Sequence, residues 1–150
     1  MKNIILFSLA VFLFGCASTK KISDMNNENP IYSKAPVVKI AVLGDMNQTS
    51  LPTTIKNIQL TGNTLWITVE YTGGCASHTF DLVGNQMISK SLPPIRSIKL
   101  IHSSENESCK QLMSETLFFD ISNFAYKKEM GSVIKLNLEG WKEQIVYTFQ

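Results

Sequence analysis

The seven residues Leu65-Trp66-Ile67-Thr68-Val69-Glu70-Tyr71 alternate without a break, and this alternation constrains the fold more than any other stretch of the chain. Successive side chains of an extended strand point to opposite faces. The pattern therefore places Leu65, Ile67, Val69 and Tyr71 on one face and Trp66, Thr68 and Glu70 on the other. A second run, Ile55 to Leu60, precedes it across Thr61-Gly62-Asn63, a hairpin-type connection. Further strand-like runs cover residues 37–43, 78–83, 96–102, 116–121, 133–138 and 144–149, with Glu139-Gly140-Trp141-Lys142 as a turn between the last two. Helical character is confined to Ser108 to Met113, one or two turns. About eight short strands with brief, turn-rich joins predict an all-β fold. The expected architecture is an immunoglobulin-like β-sandwich of about 7–8 antiparallel strands with one short helix, and a small closed β-barrel is the alternative.

The N-terminus sets the compartment. Lys2 is followed by an apolar stretch from Ile4 to Phe14, interrupted only by Ser8, and then by the small residues Gly15, Cys16, Ala17 and Ser18. At a rise of about 1.5 Å per residue this stretch falls short of a hydrocarbon core about 30 Å thick, so it reads as an export signal rather than a membrane span. Leu13-Phe14-Gly15-Cys16 resembles the end of a bacterial lipoprotein signal, with Phe14 bulkier than the family's usual residue. In that family the cysteine receives a diacylglyceryl group, becomes the new N-terminus and is acylated. The resemblance implies that residues 1–15 are removed, that Cys16 is the lipidation site, and that two or three acyl chains hold the protein on its membrane. Ala17, where Asp would mark inner-membrane retention, implies the outer membrane, on its periplasmic or surface face. Ordinary secretion after a cut near Ala17 or Ser18 is the alternative. Residues 16–36 include the polar run Asp24-Met25-Asn26-Asn27-Glu28-Asn29-Pro30 and lack periodicity. They read as a lipidated tether with a reach on the order of 25 Å. Residues 37–150 are left as one β-sandwich domain of a size that buries a core. With 14 Lys and Arg against 12 Asp and Glu, the charge is too even to predict a nucleic-acid partner.

Within the domain, Gly73-Gly74-Cys75-Ala76-Ser77-His78-Thr79-Phe80-Asp81-Leu82, then Leu100-Ile101-His102, Cys109 and Leu117-Phe118-Phe119-Asp120, resemble an uncharacterised family of secreted bacterial lipoproteins. The resemblance brings no activity with it. Once Cys16 is assigned to the lipid, Cys75 and Cys109 are the remaining cysteines, and outside the reducing cytosol they are expected to form a disulfide. Gly73 and Gly74 would supply the freedom to turn Cys75 toward Cys109. The alternative takes Cys75, His78, His102 and Cys109 as a tetrahedral zinc site, a ligand set of the right chemistry with loose spacing in its second half.

No Gly-x-Ser-x-Gly, His-Glu-x-x-His or Gly-x-x-x-x-Gly-Lys motif is present, and no motif calls for a cofactor. Glu70, Asp81, Glu115 and Asp120 read as solvent-facing strand positions, and Ser103 to Ser108 as a surface loop. Trp66 and Phe118 fall out of phase with their apolar neighbours and are expected on an outer face, where aromatic residues mark contact sites. Two functions follow. One is a non-enzymatic, lipid-anchored binding or accessory module that contacts another envelope protein or a glycan. The other is an envelope hydrolase or metal-dependent enzyme that assembles a dispersed site from His78, His102, Asp81 and Glu105. A flat aromatic face around Trp66 and Phe118 favours the first, and a concave pocket gathering the polar residues favours the second.

Overall fold

The computed structural model describes residues 36–150; the signal, Cys16 and nearly all of the tether lie outside the described residues. In chain order the strands are β1 (Val38–Ile40), β2 (Val42–Leu43), β3 (Thr54–Thr61), β4 (Thr64–Gly73), β5 (His78–Gly84), β6 (Ile95–Ser104), β7 (Gln111–Asp120), β8 (Val133–Leu138) and β9 (Ile145–Thr148). They form two sheets, in the spatial orders β1-β7-β4-β3 and β2-β5-β6-β8-β9. The fold is a β-sandwich and not a closed barrel.

The alternating residues of β4 behave as their pattern predicts: Leu65, Ile67, Val69 and Tyr71 are all buried. Phe119 of β7 joins them from the same sheet. The five-stranded sheet contributes Leu82, Ile98, Ile134, Leu136 and Tyr147 to the same apolar cluster. In β3 the apolar residues Ile55, Ile58 and Leu60 are out of step for a regular strand. A bulge at Lys56 restores the phase, since Ile55 pairs with Val69 while Asn57 pairs with Thr68, and all three apolar side chains pack on the core.

Three expectations are corrected. The sheets are mixed rather than antiparallel, because β1 runs parallel to β7, β2 to β5 and β6 to β8. Residues 37–43, expected as one strand, change sheet halfway. Ala41, fully buried, sits at the crossing, where its backbone N–H donates to Asp120 O and its carbonyl accepts from Asn123 Nδ2. A larger side chain would have to fit between the two layers. The excursion of β7 into the other sheet likewise lets β8 return parallel to β6, as a parallel pair requires a crossover. The third correction concerns Ser108 to Met113, which is not helical. Its last three residues open β7 and pair with Tyr71 to Gly73 of β4. The helical turn lies instead at Ser122–Phe124, a 3-10 turn that buries Phe124.

Arg96 is the one charged residue among the buried groups of the described residues. Its guanidinium donates to the carbonyls of Phe124, Gln86 and Asn85. Burial pushes its pKa below the ordinary arginine value. Both sheets, the shared core and the disulfide lie inside residues 36–150, so this stretch closes its core with its own residues. Among the described residues no helix is long and apolar enough to cross a membrane.

Candidate functional site

Trp66 and Phe118 are direct cross-strand partners in β4 and β7, with ring centroids 5.1 Å apart in an edge-to-face arrangement. Val38 of β1 lies beside Phe118 in register, and Gln59 of β3 beside Trp66. The result is an apolar row, Val38-Phe118-Trp66, across the outer face of the four-stranded sheet. Trp66 is 38% exposed, and Phe118, flanked on both sides, is half-buried. Threonines border the row, with Thr68 Oγ1 and Thr116 Oγ1 3.1 Å apart on the adjacent rung. Edge-to-face pairs of this kind contribute roughly 0.5–1.5 kcal/mol beyond their buried area.

A second cluster lies at one end of the sandwich, where both β4-to-β5 and β6-to-β7 cross between sheets. Cys75 in the first crossover is disulfide-bonded to Cys109 in the second, with Cα atoms 5.5 Å apart. The sulfurs are joined to each other, so the zinc alternative of Cys75, His78, His102 and Cys109 is not assembled. Beside the disulfide, Glu107 reaches into the first crossover. Its Oε2 accepts backbone N–H groups from Gly74, Cys75 and Ala76 at 3.1–3.3 Å, and its Oε1 accepts that of Cys109 at 2.6 Å. The Cys109 bond foremost, then those of Ala76, His78 and Cys75, hold the carboxyl down to about 2 against the cost of burial.

Glu107 Oε2 also lies 2.9 Å from His78 Nε2; His78 Nδ1 lies 2.8 Å from His102 Nε2; and His102 Nδ1 lies 2.8 Å from Thr53 Oγ1. An ionised carboxylate only accepts, which fixes the direction of the chain when both imidazoles are neutral. His78 Nε2–H donates to Glu107, His102 Nε2–H donates to His78 Nδ1, and the Thr53 hydroxyl donates to His102 Nδ1. His102 is buried and stacked on Phe80 at 4.3 Å between centroids, and Tyr71 packs on both imidazoles. Burial, and then the proximity of His78, depress the His102 pKa below 6.5. Tyr71 donates its hydroxyl to Glu115 at 3.3 Å; burial and then this carboxylate raise its pKa.

The two crossover glycines serve this cluster in different ways. A Cβ on Gly73 would overlap the His78 imidazole, and Gly74 adopts φ +116°, a conformation that side chains disfavour. Only the second matches the turning role expected of the pair.

Of the residues proposed for a dispersed catalytic site, His78 and His102 are brought together. Asp81 instead faces solvent and pairs with Lys39, and Glu105 is exposed. The carboxylate that joins the histidines is Glu107. Its place two residues before Cys109 was the available signal, because a Cys75–Cys109 bond carries it to the His78 crossover. A carboxylate saturated by backbone donors, linked through buried imidazoles, acts as a clamp between crossovers.

No family model and no curated protein sequence matches the chain. Solved structures do. A NigD-like immunity protein from Bacteroides caccae superposes with a TM-score of 0.57 at 14% identity, covering 75% of this chain and 64% of its own. A protein of unknown function, DUF1344, from Bacteroides vulgatus gives 0.52 at 17% identity, covering 77% and 57%. The chain thus spans less than two thirds of the length of these structures. At such identities the likeness establishes the fold.

Proposed function

We propose that the protein is a lipid-anchored component of a bacterial cell envelope that binds another envelope protein through the outer face of its four-stranded sheet, with no catalytic step of its own. The carrying observation is the row Val38-Phe118-Trp66, apolar and aromatic, on a sheet face that no described element covers. Flat, partly exposed aromatic surface suits a protein partner, whereas small substrates are usually gripped in concave sites lined by converging polar groups. The two histidines are committed to a buried clamp, and the acids proposed with them stand apart. The structural neighbour described as an immunity protein is compatible with an accessory role of this kind.

Anchoring rests on Leu13 to Cys16 and has its own test. Mature protein should begin at Cys16 and exceed its polypeptide mass by the acyl groups, and Cys16→Ser should leave a precursor or a soluble form. An unmodified N-terminus at Ser18 or beyond would refute it. Binding is tested by crosslinking in cells followed by affinity capture. Trp66→Thr and Phe118→Ser should each lose a specific crosslinked protein while the circular dichroism of the fold is kept. Retention of every crosslink by both variants refutes the aromatic face, and binding to purified envelope glycan that needs Trp66 would reassign it to a glycan.

A further inference from the structure

The end of the sandwich opposite the disulfide carries a different surface. Loop 85–94, after β5, and loop 125–132, after the 3-10 turn, meet there; Leu92, Pro94 and Tyr126 border the shallow hollows on both sides of their contact. Apolar side chains stand out from these loops with almost nothing packed on them. Leu92 is 100% exposed, Met130 87%, Met87 78% and Tyr126 50%. Exposed lysines accompany them at Lys90, Lys127 and Lys128. Among the described residues none of the three tip lysines lies within ion-pair distance of a carboxylate, whereas Lys39, Lys56 and Lys99 do and Lys110, Lys135 and Lys142 do not. Lys128 donates instead to Asn123 Oδ1, and Lys127 lies over the Tyr126 ring at 5.9 Å. Glu129 is the single acid of the cluster.

We propose that this tip is a membrane-contact surface, in which Leu92, Met130 and Met87 enter the headgroup region of an anionic bilayer while Lys90, Lys127 and Lys128 stay at the phosphate level. The chemistry favours a bilayer over a folded partner. Unbranched or flexible apolar side chains on projecting loops need no complementary pocket when they enter lipid. Lysine stems cover apolar surface while their ammonium groups remain hydrated, and unpaired lysines are attracted to anionic headgroups. Such a contact would orient the domain on its membrane. The proposal takes its setting from the envelope reading, but the tip itself is independent of the acyl anchor, so the two can fail separately.

The test uses residues 36–150, which lack both signal and lipid, in co-sedimentation with vesicles of phosphatidylcholine alone or mixed with phosphatidylglycerol. Partitioning onto the mixed vesicles is expected to exceed that onto phosphatidylcholine and to weaken at high salt. Replacing Lys90, Lys127 and Lys128 together by Gln should lower it on the order of 100-fold. Leu92→Asp and Met130→Asp should each lower it by roughly tenfold or more. Leu112→Asp, at an exposed position near the other end of the sandwich, should leave it unchanged. No binding to the mixed vesicles, equal binding to both kinds, or a loss with Leu112→Asp as large as that with Leu92→Asp overturns the proposal.

Discussion

Glu107 and His102 make opposite demands on protons in the same hydrogen-bonded chain, and the pH dependence of stability should separate them. Burial and the neighbouring His78 depress His102 below 6.5, so the unfolded chain takes up a proton there that the folded chain resists. Stability is then complete above the ordinary histidine value and declines as pH falls through it. Glu107, held to about 2 against an ordinary 4.5, has the same sign lower down: its contribution is present above 4.5 and disappears as pH falls toward its folded value. The urea midpoint should therefore be flat from about pH 7 up to the onset of tyrosine ionisation, fall through the histidine range and fall again below the ordinary carboxylate range. His102→Gln should remove the first decline and Glu107→Gln the second. A midpoint that rises on going from neutral pH into the histidine range contradicts this assignment. The two histidines were legible as a pair in the sequence, and their carboxylate only through its place two residues before Cys109. Glu105 and Glu107 are equivalent by composition, and only the disulfide geometry and the backbone donors of Gly74, Cys75 and Ala76 distinguish them.

Strands whose residues alternate cleanly and stay in one sheet were readable, and strands that break phase or change layer were not. β4 shows its buried face directly, and the bounds of β8, Val133–Leu138, coincide with the run seen in the sequence. Residues 37–43 look like one strand because nothing local marks Ala41 as a crossing point, and its burial is decided by the sheets on either side. Gln111 to Met113 becomes strand through pairing with β4, a long-range contact that outweighs weak local propensity. The bulge in β3 turns this into a test. Lys56 is the extra residue that keeps Ile55, Ile58 and Leu60 all on the core. Deleting it offers the strand two poor choices, since a one-residue slip exchanges its two faces. Either Ile55 or the pair Ile58 and Leu60 must turn outward. The cheaper choice, turning Ile55 out, costs up to about 1.5–3 kcal/mol, and turning out Ile58 and Leu60 up to about twice that. By contrast, Lys56→Ala keeps the bulge and removes only a largely exposed pair with Glu70 at 3.1 Å, for which about 0–1 kcal/mol is expected. Denaturant midpoints of the two variants measure the difference, and similar values would show that β3 does not depend on its bulge.

For the molecule as a whole, the question is whether two sheets joined by several crossovers unfold together. The disulfide ties the β4-to-β5 crossover to the β6-to-β7 crossover and encloses all of β5 and β6 in a loop of 34 positions. At that length the cross-link is expected to contribute roughly 3–4 kcal/mol by restricting the unfolded chain. It joins layers that already share one apolar cluster, with side chains from both sheets throughout. Cooperativity should therefore come from the core and survive loss of the bond. The chain carries its own probes, Trp66 in the four-stranded sheet and Trp141 in the turn between β8 and β9, half-buried against the core. Single-tryptophan variants, Trp66→Phe and Trp141→Phe, let fluorescence follow each layer while circular dichroism follows the whole. With the disulfide intact, the two fluorescence transitions of residues 36–150 in urea should coincide with the dichroism. In a Cys75→Ala, Cys109→Ala background they should move together to lower urea, by an amount equivalent to about 2–5 kcal/mol. Separation of the transitions in that background would mean that the bond, rather than the shared core, couples the layers.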